Sequence, residues 1–169
     1  MREAGADNLI EGVATPDLWP VPVPLPAWAG NASSYWLTTS GQQSVYYPSG
    51  AEKVRGWGVE LPAYTGTAGI TINAEIQRAA GIGTGTAAFE VDWNFIEPNI
   101  AQAALTTAFA NPDLGAIDTG TSVPFVLTTI AHEDVNLNSR RLALAIRRMA
   151  VDPFSSSAYM TRVWLDLAT

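Results

Sequence analysis

The single histidine of this 169-residue chain, His132, stands in "AHEDVN" beside Glu133 and Asp134, a trio with the residue types of a general base or a metal ligand. A metal site wants a second imidazole or carboxylates converging from elsewhere. A hydrolase triad wants a serine in a G-x-S-x-G elbow, and the sequence contains none. His132 therefore reads as a surface-loop residue. Asp134, Asn136 and Asn138 are spaced like the start of a calcium loop. Ser139 stands where the turn needs glycine and Ala145 where it needs a bidentate glutamate, so the segment reads as a polar turn between strands.

Three other groupings invite the same test. "GIGTG", Gly81 to Gly85, does not match G-x-G-x-x-G, has no helix after it and lacks a Walker lysine, which leaves a flexible loop. Glu90 and Asp92 share one face of a strand and have the chemistry of a glycosidase pair, but a solvated strand face is the commoner reason for such a pattern. Arg140, Arg141, Arg147 and Arg148 gather half of the chain's arginines into "RRLALAIRR". Forked guanidinium bonds suit either an anion or the carboxylates of a neighbouring subunit, and in an acidic chain inter-subunit ion pairs are the simpler expectation. The reading is of a non-enzyme with no catalytic, cofactor-binding or metal-ligating residues.

Composition narrows the partners. Nine Lys plus Arg stand against 16 Asp plus Glu, a formal charge of −7. Such a field repels phosphate backbones and anionic membranes, so neither nucleic acid nor membrane is an expected partner. There is no cysteine, which removes disulfides and thiolate chemistry together. The apolar fraction of 47% with 15% charged residues belongs to a folded domain, and no run approaches a signal peptide or a membrane span.

The elements follow from periodicity. "TPDLWPVPVPLPAWAG", Thr15 to Gly30, holds five of the 11 prolines and two of the six tryptophans. Each proline fixes its own φ and drives its predecessor out of the helical region, so residues 1–33 read as an extended N-terminal arm. From residue 34 the pattern is short alternating runs broken by Gly, Pro and Asn. In "GITINAEIQ" Ile70, Ile72, Ala74 and Ile76 face one way, and in "AFEVDWNF" Phe89, Val91, Trp93 and Phe95 do. The glycine-rich stretch between these two reads as a hairpin or a loop tip. "SYWLT", "SVYYP", "VRGWGVEL", "SVPFVLTTI", "RLALAIRR" and "YMTRVWLDL" add further strands, and together they indicate an all-β antiparallel sandwich or jelly roll over 34–169. Two segments are ambiguous. "NSRRLALAIRRMA" also places Leu142, Ala145, Ile146 and Met149 at helical spacing, and "NIAQAALTTAFA" has the residues of a short helix.

Over residues 45–169 this order of strands and turns resembles the jelly-roll domains of tailed-bacteriophage virion proteins, including capsid decoration, or cement, proteins. The resemblance is carried by the strand end Trp57 to Pro62, the Gly69–Ile76 strand, "AFEVDW", and the closing "RRLALAIRRMAVDPFSSSAYMTRVWLDL". It implies a strand at "RRLALAIRR", a homotrimer on the outer capsid surface made in the host cytoplasm, the major capsid protein as partner, and no cofactor. With that family in view, Trp19, Val21, Val23, Leu25 and Trp28 of the arm are expected to dock on a neighbouring subunit rather than on their own barrel. A receptor- or glycan-binding module of a tail fibre or baseplate is the alternative, with Tyr46, Tyr47 and Tyr64 as its recognition residues.

Overall fold

The computed structural model describes residues 21–23, 29–37, 42–62, 68–79, 84–99, 101 and 103–167. They build eleven strands: β1 Val21–Val23, β2 Ala29–Gly30, β3 Ser33–Leu37, β4 Gln42–Tyr47, β5 Lys53–Glu60, β6 Ile70–Arg78, β7 Phe89–Phe95, β8 Thr106–Ala110, β9 Ser122–Ile130, β10 Arg141–Arg148 and β11 Ala158–Leu167. The first sheet runs β3-β4-β11-β6-β9, with β1 beside β11, and the second runs β2-β5-β10-β7-β8. Every strand pairing is antiparallel. The fold is the expected all-β sandwich of the jelly-roll type.

The final strand organises the first sheet. One edge of β11 pairs with β6 along its length, while the other is shared: Ala158–Met160 take β4 and Val163–Leu165 take β1. The register shifts between Met160 and Arg162, and the extra residue, Thr161, donates its hydroxyl to the Glu75 carbonyl at 3.2 Å. Val21–Val23 thus belong to the chain's own sheet, and Val23 is buried in its core. Val21 and Val23, expected to dock on a neighbour, take part in the chain's own sheet, and this pairing lies before the domain boundary expected at residue 33. A three-residue strand between prolines fills the half-edge that β4 leaves unpaired, and edges are where proline is tolerated. Trp19, Leu25 and Trp28 lie outside the described residues.

Both ambiguous segments resolve toward strand. Leu142, Leu144, Ile146 and Arg148 point inward from β10 and are buried, while Ala143, Ala145 and Arg147 point out. Strands on both sides, β5 and β7, satisfy the backbone of β10, and that pairing outweighs the helix propensity of Leu, Ala and Arg. In the other segment Thr106–Ala110 form β8 and no helix. Of the two readings of the stretch after Arg78, a hairpin or a loop tip, the hairpin is excluded, because β6 and β7 lie in different sheets and the stretch crosses between them. Its descending end docks on residues 112–115 through Ala87 N to Pro112 O and Gly115 N to Gly85 O, both 3.0 Å. A Cβ on Gly115 would fall 2.4 Å from the Gly85 nitrogen. Gly115→Ala should therefore cost about 1–3 kcal/mol by overpacking, read as a lower midpoint in urea at unchanged m-value.

The core lies between the sheets, with Trp57, Phe89, Ile70, Ile72, Ile76, Leu142 and Leu144 among its largest members. Tyr47 crosses it. Its hydroxyl donates across the sandwich from β4 to the Ile146 carbonyl at 3.0 Å, and its ring meets Phe89 edge-on at 5.6 Å. Burial raises the Tyr47 pKa far above the ordinary phenol value, against a smaller lowering effect of Arg55. A raised folded-state pKa means that the stability is fully present below the unfolded value of about 10 and is lost above it, where the unfolded chain ionises. Stability should decline above about pH 10 by roughly 1.4 kcal/mol per pH unit from this group, and Tyr47→Phe should flatten that decline in urea titrations.

Candidate functional site

The outward face of the second sheet is built in rungs. Gly58, Ala143 and Asn94 stand side by side across β5, β10 and β7, and the next rung is Gly56, Ala145, Asp92 and Thr107. The third is Val54, Arg147, Glu90 and Phe109. Four residues with no side chain beyond a methyl therefore form the middle of the face, and all four are half-buried. The low strip they make, bordered on one side by the longer side chains of β7, β8 and Arg147 as its wall, is called the trough. Phe109 at its rim is 66% exposed, and Leu105 is exposed on the same edge of the sheet.

The wall is polar and tightly knit. Asp92 is only 5% exposed although it points away from the core. It accepts from Thr107 Oγ1 at 2.6 Å and lies 3.9 Å from Arg147 Nη2. Arg147 also meets Glu90 at 3.3 Å and Glu52 at 2.9 Å. Three carboxylates thus share one guanidinium, leaving a net charge of −2. The expectation of a merely solvated strand face fails at Asp92, because its neighbours shield it. Glu90 and Asp92 stand on the same wall of the trough and do not flank it as a glycosidase pair would.

The other arginines are also committed within the chain. Arg148 is fully buried. It forks onto Asp152 at 2.7 and 3.0 Å and donates to the carbonyls of Tyr47, Phe154 and Ser156 at 3.0, 2.8 and 2.9 Å. Arg141 pairs with Glu60 at 2.8 Å, and Arg140 Nε reaches the Leu61 carbonyl at 3.4 Å. Of the four arginines expected to make inter-subunit ion pairs, Arg147 and Arg148 are therefore engaged in the chain's own sandwich, while Arg140 and Arg141 stay exposed. Strand register brings Glu60 to Arg141 and Glu90 and Asp92 to Arg147, and the turn after β10 brings Asp152 to Arg148.

Of the three tyrosines expected to recognise a partner, Tyr47 is buried and Tyr64 lies outside the described residues. Tyr46 is half-buried on the outward face of the first sheet, 5.2 Å from the Tyr159 ring, with its hydroxyl 3.0 Å from Ser157 Oγ. Farther along that face Arg162 covers the Trp164 ring at 4.7 Å. These rings are engaged by their own neighbours. His132 opens a 3₁₀ turn, His132–Asp134, and is exposed. The polar turn read from "DVNLN" is present, closed by Asn138 N to Asn136 Oδ1 and Ser139 N to Asn136 O.

That turn borders a cleft of about 280 Å³ lined by Asn94, Phe95, Glu97, Ala101, Ala103, Asp134 and Asn136. It lies between the connection that follows β7 and the one that precedes β10. Asn94 Nδ2 donates to the Ala103 carbonyl at 2.8 Å, and Asn136 Nδ2 donates to Glu97 Oε1.

The architecture defines the class as a jelly-roll-like β-sandwich. No protein-family profile matches the chain, and no curated protein matches it. Among solved structures, the xylan-binding module CBM15 is similar over 90% of this chain and 98% of its own, at 15% identity and a TM-score of 0.49. The enzymatically active domain of tailspike protein 4 of bacteriophage CBA120 is similar over 82% of this chain and 18% of its own, at 10% identity and a TM-score of 0.45. CBM27-1 of Caldicellulosiruptor saccharolyticus, in complex with mannohexaose, is similar over 99% of this chain and 88% of its own, at 10% identity and a TM-score of 0.42. These are likenesses of shape, and they transfer no ligand or activity to this chain.

Proposed function

We propose that this chain is a glycan-binding module that holds an uncharged carbohydrate along the outward face of its second sheet and performs no chemistry on it. The observation that carries the reading is Asp92, a carboxylate kept almost wholly out of water on a face whose centre is only glycine and alanine. A shielded carboxylate is costly unless it is hydrogen-bonded and paired. Fixing one beside a floor of minimal side chains lets a ligand come close to strong acceptors. Glu90 adds a further acceptor within the same three rungs, and Phe109 adds an exposed ring. That mixture of an apolar platform and convergent polar groups fits a sugar chain, which carries apolar CH faces and hydroxyl edges. The net charge of −2 on the wall disfavours sulfated or uronic chains.

The setting we propose is a phage tail fibre or baseplate, on the strength of the resemblance of residues 45–169 to virion jelly rolls. Capsid decoration draws less support, since Val23, Arg147 and Arg148, all proposed for subunit contacts, are engaged within the chain. A glycan array carrying neutral cello-, xylo-, manno- and galacto-oligosaccharides beside acidic ones tests the reading. Retention of a neutral series is expected. Silence across the whole array, or a preference for acidic chains, would contradict it.

A further inference from the structure

We infer that the cleft beside Asn94 seats the terminal, uncharged unit of the carbohydrate laid along the trough, so that the module grips a chain end. The inference rests on the glycan-binding reading and deepens it. Continuity is the first argument. Asn94 belongs to the rung next to Asp92 on the outward face, and the same side chain lines the cleft. A chain following β7 past Asp92 and Asn94 runs into the cleft beside it.

Size and lining supply the second. At about 280 Å³ the cleft lies just below the roughly 300–1,000 Å³ of small-molecule sites, a size that suits one small ring. Its walls are two-sided. Phe95, Ala101 and Ala103 offer an apolar side, while Glu97, Asp134 and Asn136 offer a polar one. A sugar ring has the same division.

Hydrogen-bond capacity is the third. The amide nitrogens of Asn94 and Asn136 are each held by an acceptor of the chain, and no lysine, arginine or histidine lines the cleft. What remains is acceptor-rich, headed by the exposed Asp134 carboxylate. Such a pocket takes hydroxyl donors and repels a terminal carboxylate, sulfate or phosphate.

The full chain would be applied to oligosaccharides of two to six units from the cello, xylo, manno and galacto series, each also in a form ending in a uronic acid. The wild type should bind neutral ends at least tenfold more tightly than the matching acidic ends. Ala101→Trp, which fills the cleft from an exposed position, should weaken neutral binding about tenfold. Asp134→Lys, also at an exposed position, should erase or reverse the discrimination against acidic ends. Wild-type binding that ignores the terminal charge, or that survives Ala101→Trp unchanged, would overturn the end-binding inference while leaving the trough reading intact. Failure of the wild type to bind any of these chains would remove both.

Discussion

Replacing Arg148 with methionine is expected to destabilise the domain by about 3–5 kcal/mol, the usual consequence of removing one partner of a buried ion pair. The side chain points into the core from β10 and is fully buried, and Asp152 is 2% exposed. Methionine fills comparable volume but leaves the carboxylate without its counter-charge. It also strips three carbonyls, those of Tyr47, Phe154 and Ser156, of their donor. These contacts tie the connection between β10 and β11 to β4, and the guanidinium further sits 5.5 Å over the Phe154 ring. Against a total domain stability of roughly 5–15 kcal/mol this is a large loss, and it should appear as a fall in melting temperature of roughly 6–20 °C. Adding Asp152→Leu should restore only part of it, because Asp152 also accepts from the backbone nitrogens of Ala88 and Phe154. An Arg148→Met protein with unaltered stability would contradict the stabilising role of this buried pair.

The second large effect concerns binding. Asp92→Asn keeps the shape of the trough wall but removes the charge that strengthens each hydrogen bond. Hydrogen bonds to a charged group contribute about 1.5–3 kcal/mol, so affinity for a neutral oligosaccharide should fall about 10- to 150-fold. The loss belongs to the ligand only if the variant still folds, which urea denaturation checks. Phe109→Ala should weaken binding with little change in stability, since the ring is 66% exposed. Val151→Ala, at a position 93% exposed and outside the trough, serves as the control that changes neither.

Much of the sandwich was legible in the sequence, for a physical reason. Strand alternation is written locally, so Ile70, Ile72, Ala74 and Ile76 and then Phe89, Val91 and Trp93 declared their inward faces and are buried. What local pattern cannot carry is register between distant strands. Nothing near Arg148 in sequence announces that it would lie beside Tyr47, or that Arg147 would stand between Glu52 and Glu90. A cluster of four arginines therefore looked like one surface, whereas Arg148 is buried against Asp152 and Arg147 stands among three carboxylates. The proline ribbon misled in a similar way. Val21 to Val23 did read as extended, but the half-edge of β11 that receives them exists only after β4 and β11 have paired.

The trough was legible in pieces. Glu90 and Asp92 were visible as one strand face, and Arg147 as an outward residue of its strand. The floor was also present as two i, i+2 pairs of minimal side chains, Gly56 with Gly58 and Ala143 with Ala145. Their meaning depends on β5 and β10 being neighbours in the register that sets Gly58 against Ala143 and Gly56 against Ala145. Thr107 and Phe109 were hidden by the helical residue types of the surrounding segment.

The most direct test of a carbohydrate-binding trough is an amide chemical-shift titration of the folded chain with a neutral hexasaccharide retained on the array. The account predicts saturable shifts concentrated at Gly56, Gly58, Asp92, Ala143, Ala145 and Thr107, and their loss in Asp92→Asn. Saturable shifts confined to the opposite sheet, around Tyr46, Tyr159 and Trp164, would contradict it and move the binding face to the other side of the sandwich.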